Sequence, residues 1–283
     1  MGPMAVPGQW SGSVEHFYHF FLGYLYPLVQ WLEESGHRSV TVRDCGPMNP
    51  WLSLLEPHVE LEVIPPGLML HRFARQLQPA VVLDALDDPE TFDGGRIQSF
   101  VQAFQRMTAV EFPEAKSNVV LLNRASTDPY FATGNSEVDE SGVERRSVPN
   151  MQAIARRLEQ SRPTALIDTA LLNPVEQIQA LAQASTLVAQ HGAGLVHMVW
   201  MQPNSTVVEI LPPSTDDVRL IFHNLARALG HQYARINQLH DHAEVQPALV
   251  EKAIDVPTGR LAFEVNPSWR TRLTALRSSV REK

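Results

Sequence analysis

Residues 187–211 read LVAQHGAGLVHMVWMQPNSTVVEIL. An apolar run closes on the polar turn QHGAGL, and a second apolar run follows. Pro203 and Asn204 turn the chain, and TVVEIL ends the stretch. Short apolar runs bounded by turn residues read as buried strands, and the run between the two turns reads as a helix. His191 to Gly194 then sit between a strand's carboxyl end and a helix N-terminus. Helix N-termini carry unpaired N–H groups and partial positive charge, which suits them to a phosphate. Gly192 and Gly194 would let the backbone approach a pyrophosphate with no Cβ in the way, and His191 would add a donor. The bland alternative is a tight turn with an incidental histidine. Glu209 follows His191 by eighteen positions, near the end of the next strand. A carboxylate inside an apolar strand is costly unless it is partnered. A ribose diol, as in dinucleotide folds, and an arginine held for packing are the two partners to expect.

Working outward, the pattern repeats. SVTVRD, VELEVIP and AVVLDAL read as strands, and NPWLSLLEPH, LMLHRFARQL and residues 96–107 as helices. A second series begins near residue 117 with the strand NVVLLNR. It continues through NMQAIARRLEQ (helix), PTALIDT (strand), PVEQIQALAQA (helix), STLVAQ (strand), AGLVHMVWM (helix), TVVEIL (strand), VRLIFHNLARALG (helix) and HQYARIN (strand). Residues 125–148 are polar and read as a loop. Alternation of this kind implies an α/β protein with parallel sheets. Two consecutive series imply two Rossmann-like lobes, residues 1–111 and 112–255, with residues 256–283 ending in a basic helix that crosses back. The cleft between such lobes, off the carboxyl ends of the strands, is the expected ligand site.

The opening helix is expected over residues 13–35, with Ser13 as N-cap and Gly36 as the stop. Its stretch FYHFFLGYLYPLVQWL is apolar, but it carries polar tips and a proline and is short for a membrane span. It reads as a buried amphipathic helix, with peripheral membrane contact left open. MGPMAVPGQW lacks the basic and apolar regions of a signal peptide. The expected location is therefore cytoplasmic, or the inner face of a membrane.

A chain of 283 residues suffices for two domains, and 44% hydrophobic with 19% charged residues is a globular composition. The net charge of −8 argues against a general nucleic-acid partner. A single cysteine, Cys45, excludes an internal disulfide framework and has no visible activating partner.

Three further groups bear chemistry. Arg124 ends the strand VVLLNR, where bidentate phosphate binding is natural. Arg145 and Arg146 follow the polar loop, and either would close over a diphosphate or form a solvated charge run. Glu15, His16 and His19 open the first helix, and Glu15 could orient His19 as a general base. His16 and His19 could instead bind a metal, but no neighbouring spacing completes a zinc signature.

The ordered set HFFLGYLYPL, VVLLNR, RRSVPN, PVEQIQALAQASTLVAQHGAGLVHMVWMQPNSTVVEILP and LARALGHQY resembles the glycosyltransferase 61 family. The resemblance covers most of residues 115–235 and, more weakly, residues 15–32. It implies a GT-B fold, an inverting reaction, a nucleotide diphosphate sugar as donor, a glycan or glycolipid acceptor, and neither metal nor cofactor. Surface or capsular polysaccharide synthesis is the implied setting. The family pattern falls on Arg124, Asn150, Gln177, His191, Gly192, Ala193, Gly194, Leu195 and Glu209 as donor-site residues, and on His19 as the N-terminal histidine. Arg146 is added as a donor-site residue by its position after the loop. Several members carry an aspartate shortly after that histidine, where this chain has Leu22, Gly23 and Tyr24. The base expected here is therefore His19, with Glu15 second and Asp84, Asp87 and Asp88 of the first lobe as a reserve. Three other readings stand beside this one. One is a non-catalytic nucleotide-sugar-binding module. Another is a metal-dependent hydrolase using His16, His19 and His191. The third is a structural assembly subunit that binds no such ligand.

Overall fold

The computed structural model describes residues 2–9, 11–114, 116–124, 126, 128–132, 142–215 and 220–255, together with the backbone of Ala262–Glu264. The expected α/β alternation builds two parallel sheets. The first takes β1 (Met4–Pro7), β2 (Ser39–Arg43), β3 (Glu60–Ile64) and β4 (Ala80–Leu83) in the order β3-β2-β1-β4. Between β1 and β2 runs a continuous helical stretch: a turn of α-helix, α1 (Phe17–Phe20), a π-turn over Phe21–Leu25, and α2 (Tyr26–Ser35). Helices α3 (Asn49–Ser53) and α4 (Pro66–Ala74) complete the other crossovers, and α5 (Gly94–Thr108) follows β4. Asp93 caps α5, accepting a hydrogen bond from the Arg96 amide.

The second sheet opens with β5 (Asn118–Asn123), followed by α6 (Gly142–Arg145), α7 (Met151–Glu159), β6 (Thr164–Asp168), α8 (Pro174–Ala182) and β7 (Ala184–Gln190). It continues with β8 (Thr206–Leu211), α9 (Ile221–Ala228), β9 (Gln232–Asn237), α10 (Pro247–Ile254) and β10 (Ala262–Glu264). The strand order is β10-β9-β8-β7-β5-β6, with every pairing parallel. From β5 the chain goes to one side for β6 and then to the other for β7. Their loops diverge beyond the strand ends, and such a switch point is where open parallel sheets bind ligands.

The two sheets share an apolar core that runs across the expected 111/112 boundary. Trp200 is its hub. It stacks on Trp51 and meets Phe21, Phe104 and Phe112, with ring centroids 5.3–6.2 Å apart. Aromatic pairs at these separations add to area burial, so this junction stabilises the halves against each other. A second core, containing Leu121, Ile154, Leu158 and Val208, lies on the other face of the second sheet.

Four local features differ from the sequence expectations. The opening helix starts at Phe17 rather than after Ser13, and its N-cap, His16, makes no side-chain capping bond. The preceding residues are folded against the sheet instead, where the Ser11 hydroxyl donates to the Leu83 carbonyl at 2.9 Å. The AGLVHMVW segment, expected as an α-helix, is a run of 3-10 turns over Ala193–Trp200. Leu195 to Trp200 are all buried, so the segment has no solvated face and threads the core between the sheets. Strand β1 is too short to show periodicity, yet it lies inside the first sheet. Helix α10 carries Pro247 at its start, a signal legible in the sequence but not read there. The expected terminal helix lies outside the described residues. No helix among the described residues is long and apolar enough to cross a membrane, and FYHFFLGYLYPLVQWL is largely core.

Candidate functional site

A cleft of about 1210 Å³ opens between the carboxyl ends of the two sheets and is lined from both. That is somewhat above the usual volume of a small-molecule pocket, roughly 300–1,000 Å³.

Arg124 leaves the end of β5 at the switch point and reaches across to the loop after β7. Its Nη2 donates to the His191 carbonyl at 2.8 Å and its Nη1 to the Gly142 carbonyl at 3.3 Å. Gly192 makes this crossing possible. Its φ is +155°, and a Cβ there would stand 2.4 Å from Nη2 of Arg124. The first glycine of the turn thus admits a guanidinium. Gly194 packs against β5, where a Cβ would lie 3.1 Å from Leu122. Ala193 lines the cleft beside them, whereas Leu195 is fully buried in the core. The donor-contact role expected for Leu195 is corrected to a packing role.

Arg145 and Arg146 join Arg124 at the cleft. Burial pushes the Arg124 guanidinium down to about 10, with the Arg146 and Arg145 charges adding to the effect. Arg146 is buried too and its pKa is lowered, first by burial and then by Arg145, while Asp241 and Glu209 oppose the shift. Its Nη1 donates to the Thr215 hydroxyl at 2.8 Å, and its Nε has no hydrogen-bond partner among the described residues. Arg124 and Arg146, both partly desolvated, and the exposed Arg145 bring three like charges together at the cleft, an arrangement suited to an anion.

Behind the turn lies a buried network that the sequence reading had cast differently. Glu209 is fully buried. One carboxylate oxygen lies 2.5 Å from Nδ1 of His191. The other accepts from the Tyr233 hydroxyl and faces the Arg235 guanidinium at 3.5 Å. Glu209 does not line the cleft. Where a ribose contact is expected from the sequence, its side chain meets the imidazole of His191 rather than the cleft, and His191 lines the cleft. Tyr233 and Arg235 were missed because nothing in QYARIN marks them beyond strand alternation. That same alternation puts both on the face shared with Glu209.

Asn150 is likewise corrected. Its side chain donates to the Val245 carbonyl at 2.7 Å and accepts from the Val245 amide at 3.0 Å, away from the cleft. It staples α7 to the loop before α10. Gln177 does line the cleft, where its amide donates to the Thr169 and Leu172 carbonyls, each at 2.9 Å, and shapes the loop after β6. Gln190, unread in the sequence, ends β7 and ties it to the Ser147 carbonyl at 3.1 Å and to Gln238 at 2.7 Å. That clamp holds Ser147, the residue after Arg146.

Glu15, His16 and His19 face this cluster from the first sheet's side. Glu15 is buried, accepts from the Tyr130 hydroxyl at 3.0 Å and lies 4.0 Å from Arg43. It precedes the helix, so the shared helical face expected for Glu15 and His19 does not form. The His19 imidazole pKa is lowered by burial, with a hydrogen bond to the Ser11 backbone opposing. His16 is lowered by burial, then by His19 and Arg145, against the pull of Glu15. Gly23 leaves no room for a side chain, since a Cβ would stand 2.6 Å from the Ser11 carbonyl oxygen. Among the reserve acids, Asp87 and Asp88 line the cleft and Asp84 does not. The Asp87 side chain is 6% exposed and 3.7 Å from Arg96. Burial raises its pKa, opposed first by the Tyr26 hydroxyl. Among the described residues no three His, Cys, Asp or Glu side chains gather closely enough to hold a metal ion, so His16, His19 and His191 are not a ligand set.

Fold and cleft together define a parallel α/β protein with a cationic seat at the switch point of its larger sheet. The family model for glycosyltransferase 61 matches residues 17–208, more than half of the chain, and the chain belongs to that family. It is also similar to a β-1,2-xylosyltransferase of Arabidopsis thaliana, 33% identical over 81 residues. The matched stretch is 29% of this chain and 15% of the plant protein.

Proposed function

We propose that this chain is an inverting GT-B glycosyltransferase that moves a sugar from a nucleoside diphosphate to a hydroxyl of a glycan or glycolipid. The observation that carries the reading is the convergence of Arg124, Arg145 and Arg146 on the His191–Gly194 turn, at the β5/β7 switch point. In the reaction the acceptor oxygen bonds to the anomeric carbon as the bond to the diphosphate breaks on the opposite side. A base takes the acceptor proton, and the guanidiniums meet the charge growing on the leaving diphosphate. The plant relative's name makes UDP-xylose the first donor to try. Surface-polysaccharide synthesis at the inner face of a membrane is the proposed setting.

The test is a thermal-shift series with UDP, GDP and their sugars, followed by a donor-turnover assay. The expected result is a rise in Tm with at least one diphosphate and release of that diphosphate when acceptor glycans are added. No shift with any of them rejects the reading. Leu22, Gly23 and Tyr24, standing where several family members carry an aspartate, favour a second reading, a donor-binding module without turnover, for which the shift appears and no diphosphate is ever released.

The base is His19 in the first instance, since a lowered pKa keeps its imidazole neutral and proton-accepting at pH 7. Asp87 is favoured by its raised carboxyl in the cleft wall. The two separate by stability as well as by rate. A carboxyl raised above its ordinary value of 3.8 is held protonated by folding. Its stabilising contribution is present below that value and is lost as pH rises through the folded pKa. Asp87→Asn should therefore raise Tm at pH 8 and leave it nearly unchanged at pH 3. If Asp87 is the base, turnover also falls at least about 100-fold. Normal turnover in Asp87→Asn together with loss in His19→Ala assigns the base to His19.

A further inference from the structure

His197 belongs to no part of the diphosphate seat, yet it lines the same cleft. It lies on the Ala193–Trp200 run, just past the turn and toward the first sheet. The residue is 2% exposed, and its Nδ1 has no hydrogen-bond partner among the described residues. One ring face is stacked on Phe17, with centroids 4.5 Å apart and planes 26° from parallel. Trp51 tilts against the ring at 5.9 Å. Burial alone pushes the imidazole down to about 3, so it is uncharged at any working pH.

A buried polar nitrogen without a partner is a standing cost, typically about 1–3 kcal/mol. Leucine or phenylalanine would fill this apolar wall without that cost. The neutral ring cannot attract a phosphate and does not titrate where a general base must. Its neighbours occupy its faces, so a nucleobase would find no open aromatic plane to lie on. The half-buried Phe17 offers apolar surface to the cleft with Trp51 behind it, beside the neutral His197 ring whose unpartnered Nδ1 lies just beneath the wall. A sugar ring has that chemistry, with a C–H face and hydroxyls at its rim.

We infer that Phe17, Trp51 and His197 form a subsite for an uncharged sugar ring, with His197 bonding one of its hydroxyls. The diphosphate seat lies next to it. The ring is therefore either the donor's own sugar or the acceptor's terminal residue. Only that choice rests on the transferase reading above; the binding of an uncharged sugar does not.

The experiment is saturation-transfer NMR on the intact chain with methyl β-D-xylopyranoside, methyl β-D-glucopyranoside and uridine, in wild type and His197→Phe. Phenylalanine keeps the ring and its stacking while removing both nitrogens. Wild type is expected to saturate at least one methyl glycoside, and His197→Phe to lose that signal. Tm should stay level or rise in the variant, because the orphan nitrogen is gone. A merely structural histidine would instead lower Tm and leave saccharide contact intact. No saccharide signal in wild type, or an unchanged signal in His197→Phe, overturns the assignment. So does a uridine signal that is the one lost in the variant. Should His197→Phe fail to fold, Phe17→Leu decides: retained saccharide contact there also overturns it. To separate the two sources, the affinity of UDP-xylose relative to UDP falls about tenfold in His197→Phe if the ring is the donor's. It stays constant, with the acceptor KM raised instead, if the ring is the acceptor's. An affinity ratio and an acceptor KM that both match wild type overturn the subsite as part of this cleft's chemistry. Absence of binding by UDP, GDP and their sugars alike would defeat the proposed function while leaving the saccharide result standing.

Discussion

Arg124→Ala will lower transfer by about two to three orders of magnitude, the usual loss when a donor aimed at developing charge is removed. The guanidinium does two things at once. It spans the switch point, bonding the His191 carbonyl on one side and the Gly142 carbonyl on the other. Its own burial and the charges of Arg146 and Arg145 depress its pKa. Without it, the turn after β7 loses its tie to β5 and the seat loses its central charge. Arg124→Lys should recover only part of the rate, because an ammonium cannot hold both carbonyls and an anion in one plane. Gly192→Ala should mimic the loss without touching any charge, since its Cβ would occupy the place of Nη2. The measurement is kcat and KM at saturating donor, with diphosphate affinity by calorimetry. Near-normal kcat in Arg124→Ala would remove the arginine from leaving-group stabilisation. Normal diphosphate affinity in Gly192→Ala would show that the glycine has no part in aiming it.

The α/β alternation and the parallel sheets were legible in the sequence. Alternating apolar runs located nearly all the strands. Arg124, His191 and the glycines were marked by falling at strand ends, where parallel sheets bind ligands. Direction of side chains was not legible in the same way. Glu209 and His191 looked like two separate ligand contacts eighteen positions apart, and their meeting depends on β7 and β8 being neighbours in register. Asn150 and Leu195 fit the family pattern by position, but one is stapled to Val245 and the other packed in the core. Conversely, His197 was hidden inside an apolar run that any reading assigns to packing. Only the convergence of Phe17 and Trp51 from the other half of the chain marks it as unusual.

Glu209→Gln should damage the protein in a manner that tells the dyad from a ribose contact. The carboxylate is fully buried, with His191 on one oxygen and Tyr233 and Arg235 on the other. Glutamine keeps the volume and removes the charge. Arg235 then loses the Glu209 charge beside it, and the amide turns either a donor or a weaker acceptor toward His191. Breaking a buried pair from one side is strongly destabilising, here by about 3 kcal/mol as the lower expectation. For a chain of this size that corresponds to a Tm lower by roughly 6–12 °C. The loss should be cooperative with His191: a double-mutant cycle of Glu209→Gln with His191→Phe should show coupling of about 1 kcal/mol or more, since the two side chains are in direct contact. A ribose anchor would behave otherwise. It would leave Tm unchanged without ligand, weaken nucleoside and diphosphate binding together, and show no coupling to His191 in the empty protein. If calorimetry of the ligand-free protein finds the variant as stable as the parent, the buried network is not what holds the imidazole, and Glu209 returns to the role its place in the motif first suggested.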